Sequence, residues 1–555
     1  MSSSRSPLPI TSELAGNPVQ DLRFALKMQD RAGKPLEVVD PKAVRALIAL
    51  MDMQAVLGGA ASHWGGPSAF AEINSALYAL VFSKVKANGQ AWYEMFHLIN
   101  DAGHCENALY ALKALYGFAD LSIEDLKGFR SIKSPLTGHG ESHLFPQGVL
   151  LSNGPLGSSL PQAQGLCMAD RLQGLHRLTA TAISDGACME GEAKESLAAI
   201  PGLAAQGKMN PFVLIISDNN TKLTGRIDKD SFSMKPTFDS LSALGWEVVT
   251  LENGHDLQGC INAFDEVFQR AQSNPHKPIA IHAKTIKGYG VKKTMEADSG
   301  GHGFPVSDAR DLRNFVYEIW GNQDLPSEFE SWLEELEKQG LARAEAAEKK
   351  PKDVQIKEKV QAGVAKALVQ KRKDGLPVVS VSADLPGSTG VAGFQKAYPE
   401  FTFDVGVAES NMVSVAAGFS KMGYIPVVDT FSQFGVTKGG LPLTMAALSE
   451  APVIAIFSHA GFQDAADGAS HQALSYFAQV GSLPHTDVFC LATSEEAEVL
   501  VGQAVEDFAQ KRKKGEVPRS KIFFLGRENF PRTLFAKPHE YRLGKAHIVF
   551  EKIVP

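Results

Sequence analysis

Two polar loops carry the residues best suited to chemistry. Ser184-Asp185-Gly186-Ala187-Cys188-Met189-Glu190-Gly191-Glu192 follows the apolar run 178–183, and Ser217-Asp218-Asn219-Asn220-Thr221 follows 211–216. Asp185 and Asn219 lie 34 positions apart, which leaves room for one strand–helix–strand unit. A carboxylate and an amide oxygen suit Mg²⁺ or Ca²⁺, hard cations that prefer oxygen and often share it with a bound phosphate. Glycine-flanked histidines recur at His63, His104, His139 and His302. A single turn of this kind more often shapes the chain than does chemistry. Asn153-Gly154-Pro155-Leu156-Gly157-Ser158-Ser159 is expected to open a helix and to let backbone N–H groups approach an anion there.

The elements that must position these loops follow from hydrophobic spacing. The runs 178–183 and 211–216 read as buried parallel strands, so both loops fall at strand carboxyl ends, the usual ligand crevice of an open α/β sheet. Helical periodicity starts near Pro41 and recurs over 70–81. Strands at 246–251 and 278–284 around a helix at 257–271 complete a doubly wound pattern. Residues 328–349 are charged, alanine-rich and helical, and read as an interdomain linker with a solvated face. A second α/β unit then places strands at 376–381, 401–405, 425–430, 452–458, 487–492 and 521–525, with helices at 409–422 and 494–511. Residues 541–554 read as the opening strand of a further domain.

The totals narrow the class. The chain has 555 residues, 44% hydrophobic and 21% charged, as a globular protein of roughly three or four domains' length would. A net charge of −7 with no basic stripe argues against a nucleic-acid surface. The cysteines Cys105, Cys167, Cys188, Cys260 and Cys490 are scattered, which favours a reducing compartment over a disulfide framework or a zinc site. No apolar run reaches membrane-spanning length and no secretory signal is evident, so a cytoplasmic protein without membrane contact is expected.

Taken together, the loops resemble the transketolase family of thiamine diphosphate (ThDP) enzymes from about residue 40 to about 535. Ser-His-x-Gly-Gly-Pro, Thr-Gly-His-Gly-Glu, Gly-Pro-Leu-Gly, Asp-Gly-x-x-x-Glu-Gly, Asp-Asn-Asn, His-Gly-Phe-Pro, Ser-Ala-Asp-Leu, Ala-Glu-Ser-Asn-Met, Asp-Gly-Ala-Ser-His-Gln and Gly-Arg-Glu-Asn appear in the family's order. The resemblance implies two doubly wound, mainly parallel-sheet α/β domains. These are a diphosphate-binding domain over 1–325 and a pyrimidine-binding domain over 356–535, joined by the linker 326–355 and followed at 536–555 by the start of a C-terminal domain. It implies transfer of a two-carbon ketol unit from a ketose phosphate to an aldose phosphate through the cofactor's ylide. A decarboxylating synthase of the deoxyxylulose-phosphate type, or a non-catalytic or split-enzyme subunit, is the alternative. It also implies a homodimer with active sites at the subunit interface, and leaves room for a separate C-terminal-domain partner.

Site roles follow from the resemblance position by position. Asp185, Asn219 and the Thr221 carbonyl would hold Mg²⁺ or Ca²⁺ on the diphosphate, beside Gly186. Gly154 and Leu156 would lie along the cofactor, with Asp384 also touching it. Glu409 would bond the pyrimidine N1′ and favour the imino tautomer, and Phe434 would stack on the ring. His63, His104, His302 and His471 would move protons or touch the cofactor. His63, His139, His302, Asp467 and His471 would meet sugar hydroxyls, and Ser388, His459 and Arg527 the phosphate. The chain departs from the family at Gln361, where a second arginine is usual, at Ala466, where glutamate is common, and at Ala469, where proline is. Lys357 or Lys359 is the nearest substitute cation for that arginine.

Overall fold

A computed structural model describes residues 13–18, 22–348, 356–535, 538–546 and 548. The chain divides into two compact units, Met1–Lys229 with Ser233–Lys350, and Asp230–Phe232 with Pro351–Pro555.

The first unit opens on an antiparallel hairpin, β1 (Ala25–Gln29) and β2 (Pro35–Val39), which the hydrophobic spacing does not reveal. The helix Pro41–Leu57 follows, with proline at its first turn and Asp40 capping it by accepting from the Lys42 N–H. Five strands then form one parallel sheet: β3 (Phe96–Asn100), β4 (Leu178–Ser184), β5 (Phe212–Asp218), β6 (Glu247–Leu251) and β7 (Ile279–Lys284), in the order β3-β4-β5-β7-β6. β4 is buried along its whole length, because helices cover both faces of a parallel sheet. The register pairs Ser184 with Ser217, so the residues after them, Asp185 and Asp218-Asn219, emerge side by side at the carboxyl edge.

The charged segment expected to be a solvated linker is the helix Ser327–Glu348. Phe329, Trp332, Leu333 and Leu336, at i, i+3, i+4 and i+7, are at most 1% exposed and share a core with the helix Pro41–Leu57. Each such side chain contributes about 2–3 kcal/mol by burial. The first half of this helix is therefore packed onto the first unit, and only the half from Leu341 onward is mainly exposed. Residues 349–355 lie outside the described residues.

The second unit pairs β8 (Lys357–Lys359) antiparallel with β15 (Asn529–Pro531), beside a six-stranded parallel sheet. Its strands are β9 (Val378–Ser382), β10 (Thr402–Asp404), β11 (Ile425–Phe431), β12 (Ile454–Ser458), β13 (Thr486–Leu491) and β14 (Ser520–Leu525), in the order β10-β9-β11-β12-β14-β13. Helices Gln361–Lys373 and Ser494–Lys513 contribute to one apolar cluster, and Glu409–Lys421 and Gly440–Leu448 to another. The strand expected over 541–554 is absent from the described part of that stretch. Tyr541 is buried in the second unit's core, and Gln503 clamps the chain by donating to Tyr541 O at 2.9 Å and accepting from Leu543 N at 2.7 Å. With the backbone groups of Tyr541 and Leu543 taken by a side chain, the segment docks on a helix instead of starting a sheet. Residues 547 and 549–555 lie outside the described residues.

Candidate functional site

At the carboxyl edge of β4 and β5, Asp185 is 1% exposed and anchors the corner through the backbone. Its Oδ1 accepts from Gly186 N at 2.9 Å, and its Oδ2 accepts from Asn219 N at 2.9 Å and Asn220 N at 2.6 Å. Burial, then the neighbouring Asp218 carboxylate, push the Asp185 carboxyl up to about 7 against those N–H groups. Asn219 Oδ1 is buried with no hydrogen-bond partner, an arrangement that costs about 1–3 kcal/mol unless something is bound there. Thr221 joins the corner, its hydroxyl donating to Asn219 O at 3.0 Å. Asn220 takes the strained φ of 54° that turns the loop, its Oδ1 accepting from Asp228 N. An ionisable carboxylate beside an unpartnered amide oxygen is the donor set a hard divalent cation fits. Asp218 turns elsewhere. Against burial, hydrogen bonds from His282 and Lys284 hold it down to about 2.

The structure gathers four of the predicted histidines. The His63 ring lies 5.7 Å from His104, 5.8 Å from His139 and 5.3 Å from His302, and His104 stacks on His302 at 5.3 Å. Backbone pairing closes this cluster, with Trp64 N donating to His302 O and Gly65 N to Gly301 O. Cations line it. Lys287, buried, places Nζ 2.9 Å from Lys222 O and 3.0 Å from His302 Nδ1, so that nitrogen accepts and His302 carries its proton on Nε2. Arg130 donates to His63 Nδ1 at 3.1 Å, which fixes the same tautomer there. Burial and the charge of Lys287 push His104 down to about 3, so it works as a neutral ring.

The glycine loop departs from expectation. The helix it opens, Ser159–Gln173, does not reserve its first N–H groups for an outside anion. Asp101, wholly buried, fills that place: its carboxylate accepts from Gly157 N at 2.8 Å, Ser159 N at 2.9 Å and Leu160 N at 3.0 Å. The loop that carries Gly154 and the half-buried Leu156 is thus held from below. A Cβ at Gly103 would fall 2.7 Å from Asn153 Oδ1 and from Gly154 N, so the His104 turn packs directly on this loop.

In the second unit the candidates collect at the carboxyl ends of β9, β11, β12 and β14. Glu409, 3% exposed, opens the helix Glu409–Lys421; its Oε1 accepts from Thr430 Oγ1 at 3.4 Å and its Oε2 is buried with no partner. Asp384 follows β9 with φ 65° and is buried. His471 lies 5.1 Å from Phe434 and 6.3 Å from Phe431, and His459 lies 4.2 Å from Phe431. Burial and Arg527 push His459 down to about 3. Arg527 Nη1 donates to Asp464 Oδ1 at 2.5 Å and to Asp467 Oδ2 at 3.1 Å. Gln361, 5% exposed, sends Nε2 to Gly526 O at 2.9 Å. Ser388 is half-buried in the turn Pro386–Thr389, and no hydrogen bond joins it to Arg527 among the described residues. The side chain of Ala466 lies outside what the structure describes.

Two family models cover this chain. "Transketolase, thiamine diphosphate binding domain" matches residues 39–376 and "Transketolase, pyrimidine binding domain" matches residues 357–513. The chain belongs to the transketolase family. It is similar to transketolase 2 of Escherichia coli (strain K12), 28% identical over 519 residues, covering 84% of this chain and 75% of that protein. It is 27% identical to transketolase of Bacillus subtilis (strain 168) over 515 residues (83% and 75% of the two chains), and 26% identical to that of Dictyostelium discoideum over 563 residues (91% and 81%). Among solved structures, a transketolase from Campylobacter jejuni covers 88% of this chain and 78% of that chain at 22% identity and a TM-score of 0.42; the assignment rests on the family models. ThDP is the cofactor of transketolase domains, and a divalent cation is typical of them. The unpartnered Asn219 and Glu409 oxygens are buried atoms of the kind that such a cation and a ring nitrogen would satisfy.

Spacing did not reveal several residues that the fold brings to these clusters. Lys287 and Arg130 reach the histidines from distant turns, the Lys222 carbonyl accepts from Lys287, and Asp464 reaches Arg527 from a loop. Only Lys222, three positions after Asn219, stood close enough in sequence to be flagged.

Proposed function

We propose that this transketolase-family chain transfers a two-carbon ketol unit from a ketose phosphate to an aldose phosphate, with the residues named above in those roles. The observation that carries the reading is Glu409 Oε2, a carboxylate oxygen buried without a partner, because a site keeps such an atom where a ligand's ring nitrogen will complete it. When bound, ThDP supplies the carbanion chemistry and the divalent cation neutralises its diphosphate.

The chain's own residues do the rest. Asp185, Asn219 and Thr221 would hold the cation, while Lys287 and Arg130 would add positive charge for the diphosphate. Glu409 would share a proton with the pyrimidine N1′, with Phe434 against the ring face. His63 and His302, both with the proton on Nε2, present an N–H to sugar hydroxyls. His104 is neutral at working pH and accepts or donates without a charge change. His471 and Asp467 recognise donor hydroxyls.

We also propose a two-fold dimer with active sites at the subunit interface. Leu441, Met445 and Leu448, at i, i+4 and i+7 of the helix Gly440–Leu448, are 72%, 52% and 65% exposed, an apolar stripe that a second copy would cover. A reducing, cytoplasmic compartment belongs to the same reading and is favoured by the free thiols of Cys105, Cys167, Cys188, Cys260 and Cys490. Among the described residues no helix is long and apolar enough to cross a membrane.

The test compares xylulose 5-phosphate cleavage with pyruvate decarboxylation by protein loaded with ThDP and Mg²⁺. Ketol transfer is expected. Turnover of pyruvate alone would overturn the reading.

A further inference from the structure

We propose that Asp464 is a specificity-determining residue: it sets a buried carboxylate against Arg527, so that the site takes ketoses ending in an uncharged hydroxyl about as readily as their phosphate esters. The inference rests on the reading of Arg527 as the end of the substrate site and deepens it.

The pairing is built from side chain and backbone together. Arg527 Nη1 reaches both Asp464 Oδ1 at 2.5 Å and Asp467 Oδ2 at 3.1 Å, and Asp464 is 0% exposed. Gln463, its neighbour, accepts on Oε1 from Arg527 N at 2.7 Å and Glu528 N at 3.1 Å. The loop that carries Asp464 is thereby tied to the backbone that carries Arg527.

The charge sum decides what fits. One guanidinium between two carboxylates is neutral if one is ionised and −1 if both are. In neither state does the group present the net positive charge that recognises a phosphate dianion. Other cations do not make up the difference. Gln361 is neutral and its amide is committed to Gly526 O. Burial and Arg527 keep His459 uncharged at neutral pH. Lys357 and Lys359, opposite Pro531 and Asn529 in the β8–β15 pair, are exposed; Lys359 is near enough to help hold His459 down, but hydration weakens such point charges. A sugar hydroxyl, by contrast, donates a hydrogen bond that a carboxylate accepts and a phosphate dianion cannot offer.

The experiment measures kcat and KM of the protein loaded with ThDP and Mg²⁺, with D-xylulose or D-xylulose 5-phosphate as donor and glycolaldehyde as acceptor. For the unaltered chain, kcat/KM for the two donors is expected within about tenfold. Asp464→Asn keeps the volume and holds the position uncharged; burial and Asp467 push the Asp464 carboxyl up to about 8, so the two proteins are compared at about pH 9, where Asp464 is ionised. The substitution is expected to lower KM for the phosphate ester about tenfold and to raise the D-xylulose KM, because an amide is the weaker acceptor for the sugar hydroxyl. Gln361→Arg adds a cation without touching the pair and should lower the same KM. A preference for the ester of about a thousandfold in the unaltered chain overturns the proposal, as does a rise of its KM in Asp464→Asn, which would mean that Asp464 aims the arginine at phosphate. An unchanged ester KM in Gln361→Arg also counts against it. In each of these results ketol transfer stands. Turnover of neither donor removes the ketol-transfer reading, and this proposal with it.

Discussion

Acidifying the protein from about pH 8 to about pH 6 is expected to weaken its hold on Mg²⁺ and ThDP about tenfold. The cause is Asp185. Burial first, then Asp218, push its carboxyl from 3.8 up to about 7. A cation takes the ionised form, so affinity follows the ionised fraction, about nine-tenths at about pH 8 and about one-tenth at about pH 6. The stability of the cofactor-free protein runs the other way. With its pKa raised, the folded chain holds this proton more tightly than the unfolded chain does. The stabilisation is therefore complete below the ordinary value of 3.8 and is lost as the pH rises to about 7, a change of about 4 kcal/mol. Bound cation offsets that loss, so Mg²⁺ with ThDP should raise Tm more at about pH 8 than at about pH 6. Isothermal titration calorimetry and thermal unfolding at the two pH values read both effects. The terminal phosphate of the cofactor also titrates near about 6. Asp185→Ala keeps that contribution and removes the carboxylate, so its affinity should be lower and its pH dependence shallower. Equal affinity at both pH values, or the same slope in the variant, refutes the reasoning.

Asp101→Asn leaves one acceptor oxygen for the three N–H groups of Gly157, Ser159 and Leu160, and is expected to cost about 2–3 kcal/mol, read by calorimetry as a Tm lower by about 5 °C. An unchanged Tm would remove Asp101 as the anchor of the glycine loop. Lys287→Met takes a buried positive charge from beside His302 and should weaken ThDP binding at least about tenfold by titration calorimetry; unchanged affinity would place the diphosphate elsewhere. His104, pushed down to about 3, should show no ring titration by NMR between about pH 8 and about pH 5, whereas a midpoint near the ordinary 6.5 would mean its ring is solvated.

The strands were legible because a parallel sheet buried on both faces demands continuous apolar runs, as in β4 and β5, and because each run ended at a polar loop. The meeting of Asp185 and Asn219 followed, since they sit at adjacent strand ends. The cations around the histidines were not legible. Arg130 stands 67 positions from His63, and Lys287 stands 15 from His302 on a turn with no pattern of its own. Asp101 looked like an ordinary loop acid, and its capture of a helix start 58 positions away is a product of packing. The helix Ser327–Glu348 misled because its charge count hid an apolar stripe only about two turns long. No spacing singles out Asp464, and only the fold sets it on Arg527, 63 positions on.

The most direct test of the central claim is exchange of the ThDP C2 proton for deuterium, followed by NMR, in the unaltered protein and in Glu409→Ala. The account predicts exchange accelerated by about a thousandfold in the unaltered protein. In the variant, exchange should fall to the rate of free cofactor while diphosphate affinity stays within about tenfold. Fast exchange retained in Glu409→Ala would contradict it, because the carboxylate that the fold buries without a partner would then have no part in activating the cofactor.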